Sequence, residues 1–263
     1  VGYEINPNSS ARLSGQFTEG TNDSDIIRKT VNLRIQPGIE SYQREDIRSK
    51  INNWEIGGDY EYNTVRGDRF KVLFISNSFT PDRLRERWNL TGPSSESKNL
   101  FLDSTSTTKE RIIRSSYTLD MFGGSQDIEF GAERAQTILD SSLALGTLNP
   151  NGISSAAVGG LVPVDIPNAR SSVEEMRYEP FVIHNWVFNP RMSLESSILY
   201  EDSTITQSGQ ISKERSYDYV KPKLDFRYDL TPTIQLRGTM EKIVQQLSFN
   251  DFVAALDTRD EDR

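Results

Sequence analysis

The residues from Ser216 to Leu247 alternate regularly between apolar and polar side chains. The apolar members of the first half are Val220, Pro222, Leu224, Phe226 and Tyr228. Those of the second half are Ile234, Leu236, Gly238 and Met240. Successive side chains of a β-strand point to opposite faces, so a period of two predicts two strands. Proline fixes a bend and needs no donor there, so residues 229–232 are predicted to form the turn between them.

The polar face of this hairpin predicts a register. Placing Tyr228 opposite Ile234 gives two pairs of opposite charge, Asp225 with Arg237 and Lys221 with Glu241. Opposite charges directly across a sheet are favourable, so we expect this pairing.

The length of the strands separates two classes of all-β protein. Alternation also occurs in soluble sandwiches, whose strands usually run about five or six residues. The predicted strands have roughly ten or more residues, the span of a tilted strand across a bilayer. We therefore expect an all-β fold, an antiparallel up-and-down transmembrane β-barrel with its apolar face towards lipid and its charged face towards a wet lumen.

Composition removes several classes of function. The chain has no cysteine and one histidine, which excludes disulfide scaffolds and thiolate metal sites and leaves little room for histidine ligands. The net charge of −8 argues against nonspecific binding of nucleic acid. No apolar run approaches the roughly 18 residues of a membrane helix. We predict no catalytic residue, no cofactor and no metal, and hence no enzyme.

Connections along the chain alternate between tight turns and long polar segments. Tight turns are expected near residues 6–9, 63–68, 122–126, 189–191 and 229–232, and long loops near residues 20–51, 80–108, 145–177 and 203–214. In the second hairpin, pairing Tyr62 with Phe70 places Glu61 opposite Lys71. Residues 1–263 are thus predicted to be one partial barrel domain of roughly ten strands, because short turns at one end and long loops at the other are typical of such barrels.

Two sets of residues are predicted to mark the two faces. The lumen-facing candidates are Asp59, Glu61, Lys71, Glu129, Glu195, Lys221, Asp225, Arg237 and Glu241. Aromatic residues beside the tight turns predict a girdle at one membrane interface: Tyr62, Phe70, Trp186, Phe188, Phe226 and Tyr228. Most of the lumen charges are expected to be paired and solvated; some would contact a plug or line a substrate path. His184 lies on the face assigned to lipid and is expected to be structural.

Four stretches carry a family resemblance, one of which is the hairpin from Trp186 to Leu194. Residues 216–222 (SYDYVKP), the turn Leu230-Thr231-Pro232 and residues 246–254 (QLSFNDFVA) are similar to the late barrel of TonB-dependent outer-membrane receptors. The resemblance implies a closed barrel of about 22 strands with a plugged lumen, of which this chain would be a middle portion. It also implies the partners: the outer-membrane lipid bilayer, a plug domain from the same full-length chain, a TonB-type energy-transducing protein and a small ligand.

The resemblance implies energy-coupled uptake of a scarce nutrient, in the class of a siderophore, a vitamin or an oligosaccharide. Since the chain starts at Val1 without an export signal and ends in Asp-Glu-Asp-Arg, we expect it to be a fragment cut at both ends. Two alternatives remain open. One is a passive porin or another outer-membrane barrel, which needs no plug. The other is a soluble β-sandwich binding module, which would have to cover the apolar faces of its strands with a second sheet.

Overall fold

The computed structural model describes residues 1–34, 38–92, 95–245 and 249, and its architecture is a single antiparallel sheet. Its strands are β1 (Gly2–Asn6), β2 (Ser9–Asn32), β3 (Ile39–Asn63), β4 (Arg69–Gly92), β5 (Ser95–Met121), β6 (Gln126–Thr147), β7 (Val162–Val164), β8 (Arg170–Asn189), β9 (Met192–Gly209), β10 (Lys213–Thr231) and β11 (Ile234–Glu241). Each strand pairs with its neighbours in chain order, except that the short β7 pairs only with the end of β6 and β8 takes the next place. The up-and-down all-β topology predicted from the sequence is confirmed, as an open sheet consistent with part of a barrel.

Most of the strands are much longer than a bilayer requires. β2, β3, β4 and β5 contain 24, 25, 24 and 27 residues. A tilted strand crosses the hydrocarbon core with roughly 9–11 residues. The rest of each strand therefore projects beyond that height, on the side away from the tight turns.

This length changes the interpretation of the segments predicted as long loops. The strands run on through most of residues 20–51, 80–108 and 203–214. Within the described ranges, the one long connection that remains is residues 148–169, which include a short 3₁₀ helix (Ala156–Val158) and β7. The physical reason is that strand pairing needs backbone hydrogen bonds and not an apolar face. Cross-strand ion pairs such as Lys29–Glu40 (2.6 Å) and Lys50–Glu19 (3.0 Å) accompany the pairing where both faces are polar.

Two of the tight turns, at Asn6-Pro7 and at Asn189-Pro190, share one hydrogen-bonding device, which also occurs at Asn149-Pro150 in the long connection. Before each Asn-Pro turn the Asn side chain accepts a hydrogen bond from the backbone N–H two residues later: Asn189 from Arg191 at 2.9 Å, and Asn149 from Asn151 at 3.0 Å. Asn6 accepts from Asn8 in the same way at 2.9 Å. Such side chains replace a backbone turn, so Asn6-Pro7 and Asn189-Pro190 end one strand and start the next at a defined place.

In the last hairpin a threonine hydroxyl takes the place of the Asn side chain and sets the register. The hydroxyl of Thr231 accepts hydrogen bonds from the N–H groups of Thr233 (3.3 Å) and Ile234 (3.0 Å), and Thr231 pairs with Ile234. Tyr228 consequently lies opposite Leu236, and the predicted opposition of Tyr228 and Ile234 is wrong by two residues. Exposed charge pairs contribute only tenths of a kcal/mol to stability, so the turn, and not the charge pairs, sets the register of this hairpin.

The shifted register separates the charge pairs predicted for this hairpin. Asp225 lies opposite Thr239, and Arg237 opposite Arg227. Lys223, and not Lys221, lies opposite Glu241. In the second hairpin the prediction is confirmed, since Tyr62 pairs with Phe70 and Glu61 with Lys71.

Buried hydrophobic packing is confined to small clusters. Leu139, Val173 and Ile205 form one of them, with Tyr217 and Phe249 packed against it. Most large apolar side chains are instead exposed on the face of the sheet opposite to this cluster. A soluble β-sandwich would need a second sheet over that face, whereas the described strands form one sheet only. Residues 246–248 and 250–254, which carry part of the family resemblance, lie outside the described residues.

Candidate functional site

The registers place all of the predicted lumen residues on one face of the sheet, which we call the inner face. Continuous pairing relates their positions: Asp59 and Glu61 on β3, Lys71 on β4, Glu129 on β6, Glu195 on β9, Lys221 and Asp225 on β10, and Arg237 and Glu241 on β11. The predicted aromatic residues all lie on the other face, the outer face. The two sets thus lie on opposite faces of the sheet, as two-residue periodicity requires, and the assignment of one face to a lumen and of the other to a membrane interface stays a prediction.

The inner face is the more crowded of the two. The buried charged residues of the described chain all lie on it: Glu45, Arg85, Arg87, Glu175, Glu179 and Glu201. Outer-face residues at similar positions are open, for example Val182 at 49% exposure and Ile198 at 59%. Side chains converge on the concave side of a curved sheet and diverge on the convex side, so this difference identifies the inner face as concave.

A chain of ion pairs crosses the inner face from β5 to β10. We call it the inner ion-pair chain; its members are Glu129, Arg114, Glu133, Arg177, Glu179, Lys221 and Glu201. At one end, Arg114 lies 3.9 Å from both Glu129 and Glu133, and Arg177 lies 3.6 Å from Glu133. The Arg114 guanidinium thus lies near two carboxylates, and the Glu133 carboxylate lies near two guanidiniums. These contacts link β5, β6 and β8.

The other end of the chain joins three strands through one lysine. Arg177 Nε lies 3.3 Å from Glu179, and Lys221 Nζ lies 3.0 Å from Glu179. Lys221 also contacts Glu201 on the strand between them. Both glutamates are buried, so the lysine supplies the positive charge that their carboxylates require in this setting.

Phe181 adds an aromatic element to the same surface. The Arg114 guanidinium carbon lies 4.1 Å from the centre of the Phe181 ring, a cation–π contact, and the ring is buried. The ring lies over Gly131, where a Cβ atom would come within 2.7 Å of it and within 2.3 Å of the Ser115 carbonyl oxygen. Only glycine leaves room for this approach of ring and backbone.

Four of the remaining predicted inner-face charges, Asp59, Glu195, Asp225 and Arg237, have partners near the tight turns. Asp59 lies 2.9 Å from Arg12, and Glu195 lies 3.1 Å from Lys223. Asp225 accepts a hydrogen bond from Thr239 at 3.1 Å, and Arg237 donates to Gln235 at 2.5 Å. The sequence prediction missed Arg114, Arg177, Glu179 and Glu201 as members of the inner ion-pair chain. The alternation of side chains along β5, β8 and β9 would have placed these four residues on the inner face.

Lys71 lies in a small cavity of about 250 Å³ on the inner face. The cavity is lined by Arg69, Lys71, Leu73, Arg114, Ser116 and Glu129. It sits near the tight turns, at the end of the sheet opposite the projecting strands. Three cations and one carboxylate give this cavity a positive character.

The outer face carries an exposed apolar band of limited height next to the tight turns. On β8 it runs from Phe188 to Tyr178 and gives way to Glu174; on β10 it runs from Tyr228 to Val220 and gives way to Asp218. Each run spans about ten residues, the length of a tilted bilayer-crossing strand. The ring centres of Trp186 and Phe188 are 4.0 Å apart in this band.

His184 lies inside the apolar band. Its Nε2 is 3.2 Å from the amide oxygen of Gln126, and its ring centre is 6.1 Å from that of Trp186. These contacts fit a structural side chain. Within the described ranges, no three His, Cys, Asp or Glu side chains come together as a metal site would require.

Beyond the band, the outer surface of the projecting strands is held by ion pairs. Glu40 accepts hydrogen bonds from Lys29 (2.6 Å) and from the Tyr42 hydroxyl (2.8 Å). The bond from Lys29, followed by that from Tyr42, lowers the pKa of the Glu40 carboxyl below its usual value. Among the described residues, no helix has the length and apolar character needed to cross a bilayer.

Comparison with solved structures gives two similar chains. The unliganded ferric citrate transporter FecA has a TM-score of 0.50 and 12% identity, covering 91% of this chain and 40% of its own. The copper transporter OprC has a TM-score of 0.45 and 11% identity, covering 90% of this chain and 41% of its own. At such identities the likeness to FecA concerns the fold alone, and the chain spans about two fifths of the length of these proteins.

Comparison with curated proteins gave no match. Comparison with family models matched residues 2–253 to the TonB dependent receptor-like β-barrel. This match covers nearly the whole sheet, with its exposed outer band and its charged inner face. The protein therefore belongs to the family of TonB-dependent receptor-like β-barrels.

Proposed function

We propose that this chain is the barrel portion of an outer-membrane receptor for energy-coupled uptake of a scarce nutrient, in the class of a siderophore, a vitamin or an oligosaccharide. The single observation that carries the proposal is the division of one sheet into two chemically distinct faces. An apolar band about ten residues high is exposed outward, and ion pairs line the concave side. Membership in the receptor family supports transport rather than catalysis.

The outer apolar band would contact the lipid bilayer of the outer membrane. Exposed apolar surface of this extent is costly in water, and it costs nothing against acyl chains. The aromatic residues beside the tight turns would lie at one headgroup interface, where an amphipathic ring is favoured. The projecting strands would then stand in the aqueous compartment beyond the opposite interface.

The inner face would line the lumen and receive a plug domain of the same full-length chain. The positive cavity around Lys71 and the inner ion-pair chain offer charged groups to such a plug. A TonB-type energy-transducing protein would act through a part of the receptor other than this sheet. We propose no nucleic-acid partner, in keeping with the net charge of −8.

The test of this function is uptake by cells that carry the full chain in its natural context or lack its gene. Labelled ferric siderophore, cobalamin and oligosaccharide would be supplied at limiting concentration, with and without a protonophore. We expect uptake of one of them to need both the gene and the proton gradient. Uptake that needs the gene but ignores the protonophore would overturn energy coupling and favour the passive porin.

Location is tested by a matched pair of variants. Leu236→Arg places a charge in the exposed apolar band, and Thr239→Arg places the same charge on the inner face of the same strand. We expect the first variant to be lost from the outer-membrane fraction and the second to remain in it. Equal recovery of both from that fraction would contradict the proposed membrane contact.

A further inference from the structure

Arginine is concentrated on the inner face of the projecting strands. Arg83, Arg85 and Arg87 occupy alternate positions of β4, so all three point to the inner face, about 7 Å apart along the strand. Arg28 lies on the same face of β2. These four residues, which we call the arginine cluster, lie further from the tight turns than the apolar band. They stand out in a chain whose net charge is −8.

Three members of the arginine cluster, Arg28, Arg85 and Arg87, are held by side-chain partners. Arg85 forms a buried ion pair with Glu45, and Arg28 lies 3.6 Å from the same carboxylate. Arg87 lies directly opposite Glu45 in the register, and its Nε donates to the Asn99 side chain at 3.1 Å. Their guanidiniums therefore contribute a preorganised positive field and do not have to be ordered when an anion arrives.

Arg83 is different. Its side chain is exposed, and within the described part of the chain no ion pair includes it. The residues directly across from it are Ser49 on β3 and Ser104 on β5, so no carboxylate faces it in the register. Its guanidinium is thus open to solvent at the edge of a positively charged wall.

We propose that the ligand of this receptor is an anion carrying carboxylate or phosphate groups, and that Arg83 binds it beside the field of Arg85 and Arg87. A guanidinium presents a planar fork of N–H donors that matches carboxylate and phosphate oxygens. The inference rests on the proposed function, since it names the chemical class of the nutrient that the receptor recognises. The cluster lies on the inner wall of the projecting strands, beyond the height of the apolar band.

The experiment is calorimetric titration of the full chain with citrate and with inorganic tripolyphosphate, and with maltotriose as a neutral probe. The test variant is Arg83→Gln. The matched control is Arg48→Gln, which removes the same charge from an exposed position on the outer face of β3. One charge-assisted hydrogen bond contributes about 1.5 kcal/mol, so we expect Arg83→Gln to weaken anion binding about tenfold and Arg48→Gln to leave it unchanged.

Further readouts separate a specific site from general charge. Arg83→Lys keeps the charge without the fork and is expected to keep part of the affinity. Absence of saturable anion binding, or equal weakening by Arg83→Gln and Arg48→Gln, would overturn the proposal. Energised uptake of a neutral oligosaccharide that is insensitive to Arg83→Gln would overturn it too, while leaving the receptor function intact. Anion binding that depends on Arg83 in a protein without energised uptake would instead overturn the receptor function.

Discussion

Lys221 Nζ lies 3.0 Å from a carboxylate oxygen of Glu179, although β9 separates the strands that carry the two residues. The lysine reaches across β9 and contacts Glu201 of that strand on the way. One side chain therefore ties three strands together on the concave face. Both carboxylates are buried, with Glu201 4% exposed, so the contact lies where an unpaired charge is costly.

The first prediction concerns this lysine. Lys221→Met leaves two buried glutamates with fewer positive partners, and removing one member of a buried pair costs about 3 kcal/mol. We expect a clear fall in the urea midpoint of the full chain refolded in detergent. Lys223→Met is the control: its partner Glu195 is 3.1 Å away and well exposed, so the loss is at most about 1 kcal/mol. Equal midpoints for the two variants would count against the three-strand contact.

The second prediction concerns the apolar band. Leu224→Arg places a charge among exposed apolar residues of β10, and a midplane charge facing lipid costs about 2–4 kcal/mol. We expect folding into liposomes, followed by heat-modifiable mobility on gels, to fall sharply. Thr239→Arg lies on the inner face, opposite Asp225, and is expected to fold normally. If the two variants folded to the same extent, the assignment of the faces would fail.

The third prediction concerns the close approach at Gly131. A Cβ atom at this position would lie 2.3 Å from the Ser115 carbonyl oxygen and 2.7 Å from the Phe181 ring. Gly131→Ala is therefore expected to destabilise the full chain by about 1–3 kcal/mol in urea unfolding. Gly238→Ala, where no atom lies within 4 Å of the added Cβ, should be neutral. A neutral Gly131→Ala would show that Phe181 and the strand can move apart at little cost.

The fourth prediction concerns pH. The pKa of Glu40 is lowered by its hydrogen bonds from Lys29 and Tyr42. A carboxyl whose folded pKa is depressed stabilises the fold above its unfolded pKa, and this contribution is lost as the pH falls through the folded pKa. Lys29→Met should raise the pKa of Glu40, as measured by carboxyl NMR titration, whereas Lys50→Met should leave it unchanged. An unshifted titration in Lys29→Met would show that the pair is solvated and weak.

The sequence by itself determined the strands and the sorting of their side chains. Alternation with period two assigned Glu61 and Lys71 to one face and Tyr62 and Phe70 to the other, and the register confirmed both pairs. It does so because the direction of a strand side chain is a local property of the backbone. The Asn-Pro turns are local for the same reason, since the side chain bonds the backbone two residues on.

Only the tertiary structure decided which charges meet. The register of β10 and β11 depended on a hydroxyl of Thr231, and it moved Arg237 away from Asp225. The lengths of the strands beyond the apolar band depended on pairing between polar segments, which carry no apolar signal in the sequence. Contacts across an intervening strand, such as Lys221 with Glu179, need the registers of two pairings at once. Alternation cannot supply them, because it fixes the face of each residue and leaves open its neighbours on that face.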